Sequence, residues 1–427
     1  MASSATSNSG YAAKTDTLMQ IASEVPQSPG RTRVSYFAGK HSLAGGRPNF
    51  RRMQQSARRD LESQPTENPK ARDLSNLLHY RGDFMPYLPV ICVVAASVVT
   101  LGSANAQTLS TTAIPVGVEN FVRAESDLYM GKMVKDGSFG QFVHSREPAS
   151  IDNQNVIRMN RDTLYSEAVF DLDAGPVTVT LPDAGKRFMS MQVVSEDHYV
   201  PSVFYAAGSY TLTKENVGTR YVFVAIRTLV DPTDPKDVDQ VHELQDAIKV
   251  SLAGAGKFEV PNWDQASQTK IREALLVLGS TIPDYNRAFG TREAVDGIQH
   301  LIGTATGWGG NPAKDATYLS GDAPKNDGAT VYTLKVGDVP VDSFWSVSVY
   351  NAEGYFEKNP YNAYSLNNLT AKKSDDGSIT IQFGGCDGKI VNCLPTVPGW
   401  NYTVRLYQPR AEILSGEWSF PQPQPLP

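Results

Sequence analysis

The chain has 427 residues, a formal net charge of −6 and three cysteines. That length is ample for two domains. An acidic balance without any polybasic run excludes phosphate-led nucleic-acid binding and electrostatic docking on an anionic membrane.

Residues 1–84 carry 12 Lys and Arg against 7 Asp and Glu, and they are rich in Ser, Ala and Arg. Without a sustained apolar period they have little with which to build a core, and they are expected to be disordered. The stretch from Met85 to Gln107 then reads MPYLPVICVVAASVVTLGSANAQ. Leu88 to Leu101 is an almost unbroken apolar run, and Ala104-Asn105-Ala106 follows it as an A-x-A-like cleavage site, the pattern of a secretory signal. Its late position is reconciled by taking residues 1–84 as an over-extended reading of the gene. Residues 85–106 are then the signal peptide, and the mature protein begins at Gln107. The run is shorter than the roughly 18 apolar residues of a membrane span, so an anchor is the weaker reading. Ile91 before Cys92 fits a lipoprotein poorly. No Lys or Arg precedes the run within Met85 to Val90, a gap that a start near Leu77 would mend by including Arg81. The expected location is periplasmic or secreted, with no membrane span after cleavage. A mature N-terminus before Gln107, found by mass spectrometry, would contradict this.

From Gln107 onwards 27 basic and 38 acidic residues remain, a net charge of −11. Cys386 and Cys393 are then the only cysteines, and an even count in an exported chain reads as a disulfide. Two cysteines are too few for a structural zinc site.

Val116 to Lys135 reads as a helix, with Val118, Phe121, Val122, Tyr129 and Met133 roughly on one face and Asp136-Gly137 ending it. From Ile157 the period shifts towards two. Val177 to Leu181, Phe188 to Val194, Ser209 to Thr213 and Tyr221 to Leu229 read as strands separated by turn signals, the spacing of a β-sandwich over 107–230. Asp231-Pro232-Thr233-Asp234-Pro235 breaks the pattern, and 231–302 reads as a helical connector. Strands return at Thr330 to Val336, Ser343 to Tyr350, Ser378 to Phe383 and Tyr402 to Tyr407. Pro421 to Pro427 reads as a disordered, polyproline-like tail.

Two sets of residues carry a resemblance. Asn160-Arg161-Asp162-Thr163-Leu164-Tyr165-Ser166, with Phe170-Asp171-Leu172 and Gly175-Pro176-Val177, resembles the N-terminal member of a bacterial exported tandem, domain-of-unknown-function family 1254. Phe344 to Asn351, Asp376 to Ile379 and Pro398 to Tyr407 resemble the C-terminal member, family 1214. The resemblance implies a mainly β protein: an immunoglobulin-like β-sandwich, a small helical segment, and a jelly-roll β-sandwich over 303–420. It supplies no activity and no catalytic residues.

Chemistry is therefore sought in the residues. Asn160 to Tyr165 packs an amide, a guanidinium, a carboxylate, a hydroxyl and a phenol into six positions. Read as a strand, Arg161, Thr163 and Tyr165 share one face and Asn160, Asp162 and Leu164 the other. Asn160, Arg161 and Tyr165 are candidate ligand-binding groups, and Asp162 is a candidate acid or base; the bland alternative is a structural polar corner. His198, in Glu196-Asp197-His198-Tyr199, is a candidate general base or an ordinary loop histidine. Arg405 alternates with Val404 and Leu406, so it needs a partner if buried. With Tyr350 it could face a ligand, or it could form an internal pair. No metal site is expected, because H-x-H and H-E-x-x-H are absent and the other histidines are scattered. The chain has no G-x-S-x-G, G-x-G-x-x-G, P-loop or EF-hand, and no cofactor is expected.

The leading expectation is an envelope protein that binds a small or oligomeric ligand in a cleft between its domains. A cofactor-independent hydrolase or lyase is the alternative, and a structural or interaction module is the third reading. A homo-oligomer is compatible with all three.

Overall fold

The structure, a computed structural model, describes residues 112–154 and 156–427 and the backbone of Gln20–Ile21, which pairs antiparallel with Val156–Ile157. Apart from that pair, the 1–84 segment and the signal-like stretch lie outside the described residues. The described chain is mainly β.

Helix α1 (Phe121–Lys135) leads and buries Phe121, Ala124, Tyr129 and Met130. It begins later than the apolar pattern suggests, because Asn120 folds back on Gly117 through backbone and side chain and leaves Val118 exposed. Six strands follow: β1 (Thr163–Asp171), β2 (Val177–Leu181), β3 (Met189–Ser195), β4 (Ser202–Phe204), β5 (Gly208–Leu212) and β6 (Tyr221–Leu229). One antiparallel sheet runs β1-β6-β3-β4, with Val143–His144 on the outer edge of β1. A second runs β7-β2-β5, where β7 is Lys249–Leu252. Alternation along the strands decides how these sheets meet. Ala168, Phe170, Met191, Val193, Val222, Val224 and Ile226 pack on Val177, Val179, Leu181 and Leu212 in one core. Burying each of these side chains larger than alanine contributes roughly 1.5–3 kcal/mol. The other face of the first sheet is covered by α1 and Trp308.

Three helices connect the halves: α2 (Pro235–Asp246), α3 (Gln265–Gly279) and α4 (Gly297–Gly307). Each starts at an aspartate, Asp234, Asp264 or Asp296, whose side chain accepts a backbone N–H of the first turn. The segment 231–302 is not wholly helical. Lys249-Val250-Ser251-Leu252 pairs residue for residue with Val177–Thr180, so β2 takes it as a neighbour.

The C-terminal half contains β8 (Ala316–Asp322), β9 (Tyr332–Val336), β10 (Trp345–Tyr350), β11 (Ser365–Asn367), β12 (Ile379–Phe383), β13 (Cys393–Leu394), β14 (Asn401–Tyr407) and β15 (Gln424–Pro425). Its sheets run β8-β14-β10-β11 and β13-β12-β9-β15. Trp345, Val347, Val404 and Leu406 of one pack on Leu334, Val336, Ile381 and Phe383 of the other. Cys386 and Cys393 form a disulfide that ties the loop after β12 to β13. The tail is held too: Gln424–Pro425 pairs with Tyr332–Thr333, and Phe420 enters the core. The same alternation leaves Ser346, Ser348, Tyr350, Arg405 and Tyr407 on the opposite face of the β14 sheet. That face meets the N-terminal half, where Phe188 lies 5.2 Å from the rings of both Phe344 and Tyr407. Among the described residues no helix is long and apolar enough to cross a membrane.

Candidate functional site

The motif at 160–165 is a turn followed by a strand. Arg158 holds left-handed backbone at φ 53°, and the Asn160 Oδ1 accepts the Asp162 N–H at 2.8 Å. This Asx-type turn delays β1 to Thr163 and changes which side chains share a face. The Asn160 Nδ2 donates to Thr163 Oγ1 at 3.1 Å and to Tyr407 Oη at 3.0 Å, and reaches Tyr165 Oη at 3.4 Å. Arg161 turns away. It donates to the Ala149 carbonyl and lies 5.4 Å over the Tyr364 ring. The expected grouping of Arg161 with Thr163 and Tyr165 is thereby corrected: Asn160 takes its place, because the backbone is not yet extended at 161.

Asp162, Tyr350 and Arg405 form a buried junction between the halves. Asp162 accepts the Ser346 hydroxyl at 2.6 Å. Burial raises its pKa, while Arg405 and hydrogen bonds from Ser346 and Asn367 work the other way. Arg405 is 2 % exposed. It donates to Ser348 Oγ at 2.8 Å, to Tyr350 Oη at 2.8 Å, and to the Arg158 and Met159 carbonyls at 2.8 and 3.3 Å. Tyr350 in turn donates to the Met159 carbonyl at 2.8 Å. Burial opposes the Arg405 charge, but Tyr350, Tyr407 and Asp162 more than offset it. These groups brace the 158–162 turn from behind; none of the three lines the cavity over β1 and β6.

The open space lies next to them. A cavity of about 250 Å³ sits on the helix-covered face of the first sheet. Tyr165 and Glu167 of β1, and Phe223, Ala225 and Arg227 of β6, make its floor. Met133 of α1 and Trp308-Gly309 close one side, and segments from 145–149 and 157–160 close the other. Strand pairing sets Tyr165 opposite Arg227 and Glu167 opposite Ala225. The guanidinium lies 5.3 Å from the centre of the Tyr165 ring. The exposed Ser145 and Glu147 mark the solvent side. Of the residues singled out from sequence, Asn160 and Tyr165 line this cavity; Arg161, Asp162, His198, Tyr350 and Arg405 do not.

Glu167 is part-buried, and among the described residues nothing hydrogen-bonds or ion-pairs with its carboxylate. Burial raises its pKa, Arg227 lowers it, and Asp136 adds to the rise. Arg227 is 3 % exposed, donates from Nη1 to Gln192 Oε1 at 2.7 Å, and keeps a buried Nε without a partner. No carboxylate among the described residues forms an ion pair with it.

His198 stands behind the wall. Its Nε2 accepts the Gly309 N–H at 2.8 Å, and its Nδ1 lies 2.8 Å from Thr304 Oγ1. The Thr304 hydroxyl proton goes to the His300 carbonyl, so Nδ1 carries the ring proton and donates. Burial, and then the nearby His300, push its pKa well below the ordinary value. Both ring nitrogens are occupied, a geometry that serves positioning and leaves no lone pair for a substrate. The Gln192 amide donates to the Gly309 and Gly310 carbonyls at 3.3 and 2.8 Å. One relay therefore runs Arg227–Gln192–Gly309–His198–Thr304. Gly309, at φ 80°, supplies the left-handed backbone that this bend needs.

Sequence reading passed over Glu167, Arg227 and Gln192. Glu167 was within reach, two positions beyond Tyr165 on the same face. Arg227 was signalled as the one charge in YVFVAIRTL, whose every residue is buried.

Residues 139–251 match the family model described as protein of unknown function DUF1254, and residues 316–411 match that of DUF1214, in this order. No curated protein matches the chain. Among solved structures, the VPA0106 protein of Vibrio parahaemolyticus is similar at 17 % identity and a TM-score of 0.59, covering 73 % of this chain and 98 % of its own. An uncharacterised protein from Burkholderia cenocepacia matches at 14 % identity and a TM-score of 0.42, covering 72 % and 87 %. The first likeness speaks for a shared fold.

Proposed function

For a chain that carries the DUF1254 and DUF1214 domains in tandem, we propose binding of a small ligand with an apolar body and one polar end, in the cavity over β1 and β6. The observation that carries this reading is Arg227: a buried guanidinium that lines an open space, with no carboxylate in ion-pairing distance among the described residues. A buried charge left in that state is costly, and sites that persist at such cost recur where ligands bind. Trp308, Phe223 and Met133 supply the apolar walls usual in such pockets. Residues 158–160, braced by Arg405 and Tyr350, make the C-terminal half the support of the site.

The same reading keeps the protein in the periplasm or outside the cell. The apolar run at 88–101 followed by Ala104-Asn105-Ala106 supports export, as does a disulfide, which persists in oxidising compartments. It keeps the immunoglobulin-like and jelly-roll assignments as well, supported by two facing sheets in each half.

A screen of the purified protein against small acids, amines, alcohols and sugars by thermal shift and tryptophan fluorescence tests the binding reading. A ligand of the folded state must raise its stability. Ala225→Leu, which fills the cavity floor, should abolish every genuine shift. Shifts that survive it would place the ligand elsewhere. One observation favours a second reading, a cofactor-independent hydrolase or lyase: Glu167 is an unpaired carboxyl with a raised pKa beside Tyr165 and Arg227. Turnover of any ligand so identified, lost in Glu167→Gln, would establish it.

A further inference from the structure

We propose that the cavity takes a small monocarboxylic acid, with its carboxylate on Arg227 and its apolar body between Trp308, Phe223 and Met133. This rests on the binding reading above and names the ligand class for the same site.

Arg227 is donor-rich and acceptor-poor in its surroundings. One Nη1 hydrogen bond goes to the neutral Gln192 amide, and the buried Nε–H goes unclaimed. The Tyr165 ring lies 5.3 Å from the guanidinium, and the phenols of Tyr165, Tyr318 and Tyr407 favour the cation without neutralising it. Guanidinium forks match carboxylates in shape as well as charge. Arg405 shows how this protein treats an arginine meant for structure: its two terminal nitrogens are filled by a hydroxyl, a phenol and two carbonyls. Arg227 has a smaller set, the Gln192 amide and the Tyr165 phenol.

The rest of the cavity limits the ligand's size and charge. At about 250 Å³ it falls just below the ~300–1,000 Å³ of sites for drug-sized molecules, so a six- to eight-carbon acid is the right scale. Glu147 and Glu167 balance Arg158 and Arg227 in the lining, so the cavity has no excess of positive charge to hold a second anionic group. An amine is the rival: it would sit on Glu167 and leave Arg227 unmet.

Four probes of similar size separate these cases: benzoate, hexanoate, benzamide and benzylamine. They are titrated into the full chain by calorimetry and by tryptophan fluorescence. Benzoate and hexanoate should bind, with benzamide about tenfold weaker or worse, the scale of one hydrogen bond to a charged group. Arg227→Met should erase the preference for the acid over the amide. Glu167→Gln, which leaves the fold's contacts in place, should tighten the acids by removing a like charge. Tighter binding of benzylamine than benzoate, or benzoate affinity unchanged in Arg227→Met, would overturn the proposal while leaving the cavity a binding site. If no probe of any charge binds and the wider screen is also silent, the binding reading itself falls, and the proposal falls with it.

Discussion

Two buried arginines, each on a sheet face that looks towards the middle of the molecule, meet opposite fates. Arg405, on β14, spends both terminal nitrogens on the protein and has Asp162 nearby. Arg227, on β6, spends one bond on an amide and faces a cavity. The first is enclosed by a hydroxyl, a phenol and the carbonyls of a turn; the second by an amide, tyrosine phenols and empty volume. Burial alone therefore does not tell structure from recognition. The inventory of partners does, since a buried charge that the fold itself needs is supplied with them.

That contrast can be broken by substitution. Arg405→Leu should cost about 3–5 kcal/mol, the scale for removing one partner from a buried charged network, because Ser348, Tyr350 and the 158–159 carbonyls lose their donor. Urea unfolding measures it. Arg227→Met, by the same assay, should stay within about 1 kcal/mol of the parent, since an apolar isostere of a poorly paired buried charge is often neutral. Equal losses in the two variants would erase the distinction.

A smaller effect sharpens the picture at the acid end. Asp127, on the buried face of α1, accepts the Trp263 Nε1–H at 2.7 Å, and has its pKa pushed up from 3.8 to about 7, first by burial and then by its neighbour Glu196. The folded state therefore holds a proton that the unfolded chain releases near 4. Stability from this group is greatest at low pH and falls as pH rises from about 4 to 7, levelling above. Asp127→Asn keeps the acceptor for Trp263 and removes the titration. The gap between parent and variant in denaturation midpoint should move in the variant's favour from pH 4.5 to pH 8. A gap constant over that range would show that Asp127 is ionised throughout. Smallest is Tyr407→Phe, which takes the acceptor from the Asn160 Nδ2 and should cost about 1 kcal/mol, with weaker binding of any cavity ligand as its second readout.

Much of the fold was legible because it depends on period. Val177 to Leu181 and Tyr221 to Leu229 alternate or run apolar over whole strands, and the structure places strands there. Lys249–Leu252 was not legible as a strand, because four residues in a helical neighbourhood join a sheet only when β2 offers an edge. At the site, Asn160 and Tyr165 stood out by composition. Their company did not, since an Asx turn decides it: the side chain of Asn160 bonds its own backbone and turns Arg161 away. His198 looked like a base by residue type. What makes it a wall support is Gly309, 111 residues onward, a pairing that no local pattern encodes. Arg227 was hidden for the opposite reason, inside a strand so apolar that its one charge read as incidental.

The hydrogen bond between Asn160 and Tyr407 spans 247 positions, and that span sets an order of events during synthesis. The first sheet is complete once Leu229 has left the ribosome, and the core it shares with the second sheet needs the chain only as far as β7, ahead of the C-terminal half. The turn that closes the cavity waits for β14, near the end of the chain, to bring Arg405 and Tyr407 beneath it. Through most of translation the N-terminal half is thus a folded scaffold with an unfinished rim, its cavity floor open to other chains. Contacts of such long range also slow the last step of folding, so ligand-competent protein should appear after the bulk of secondary structure in a refolding experiment.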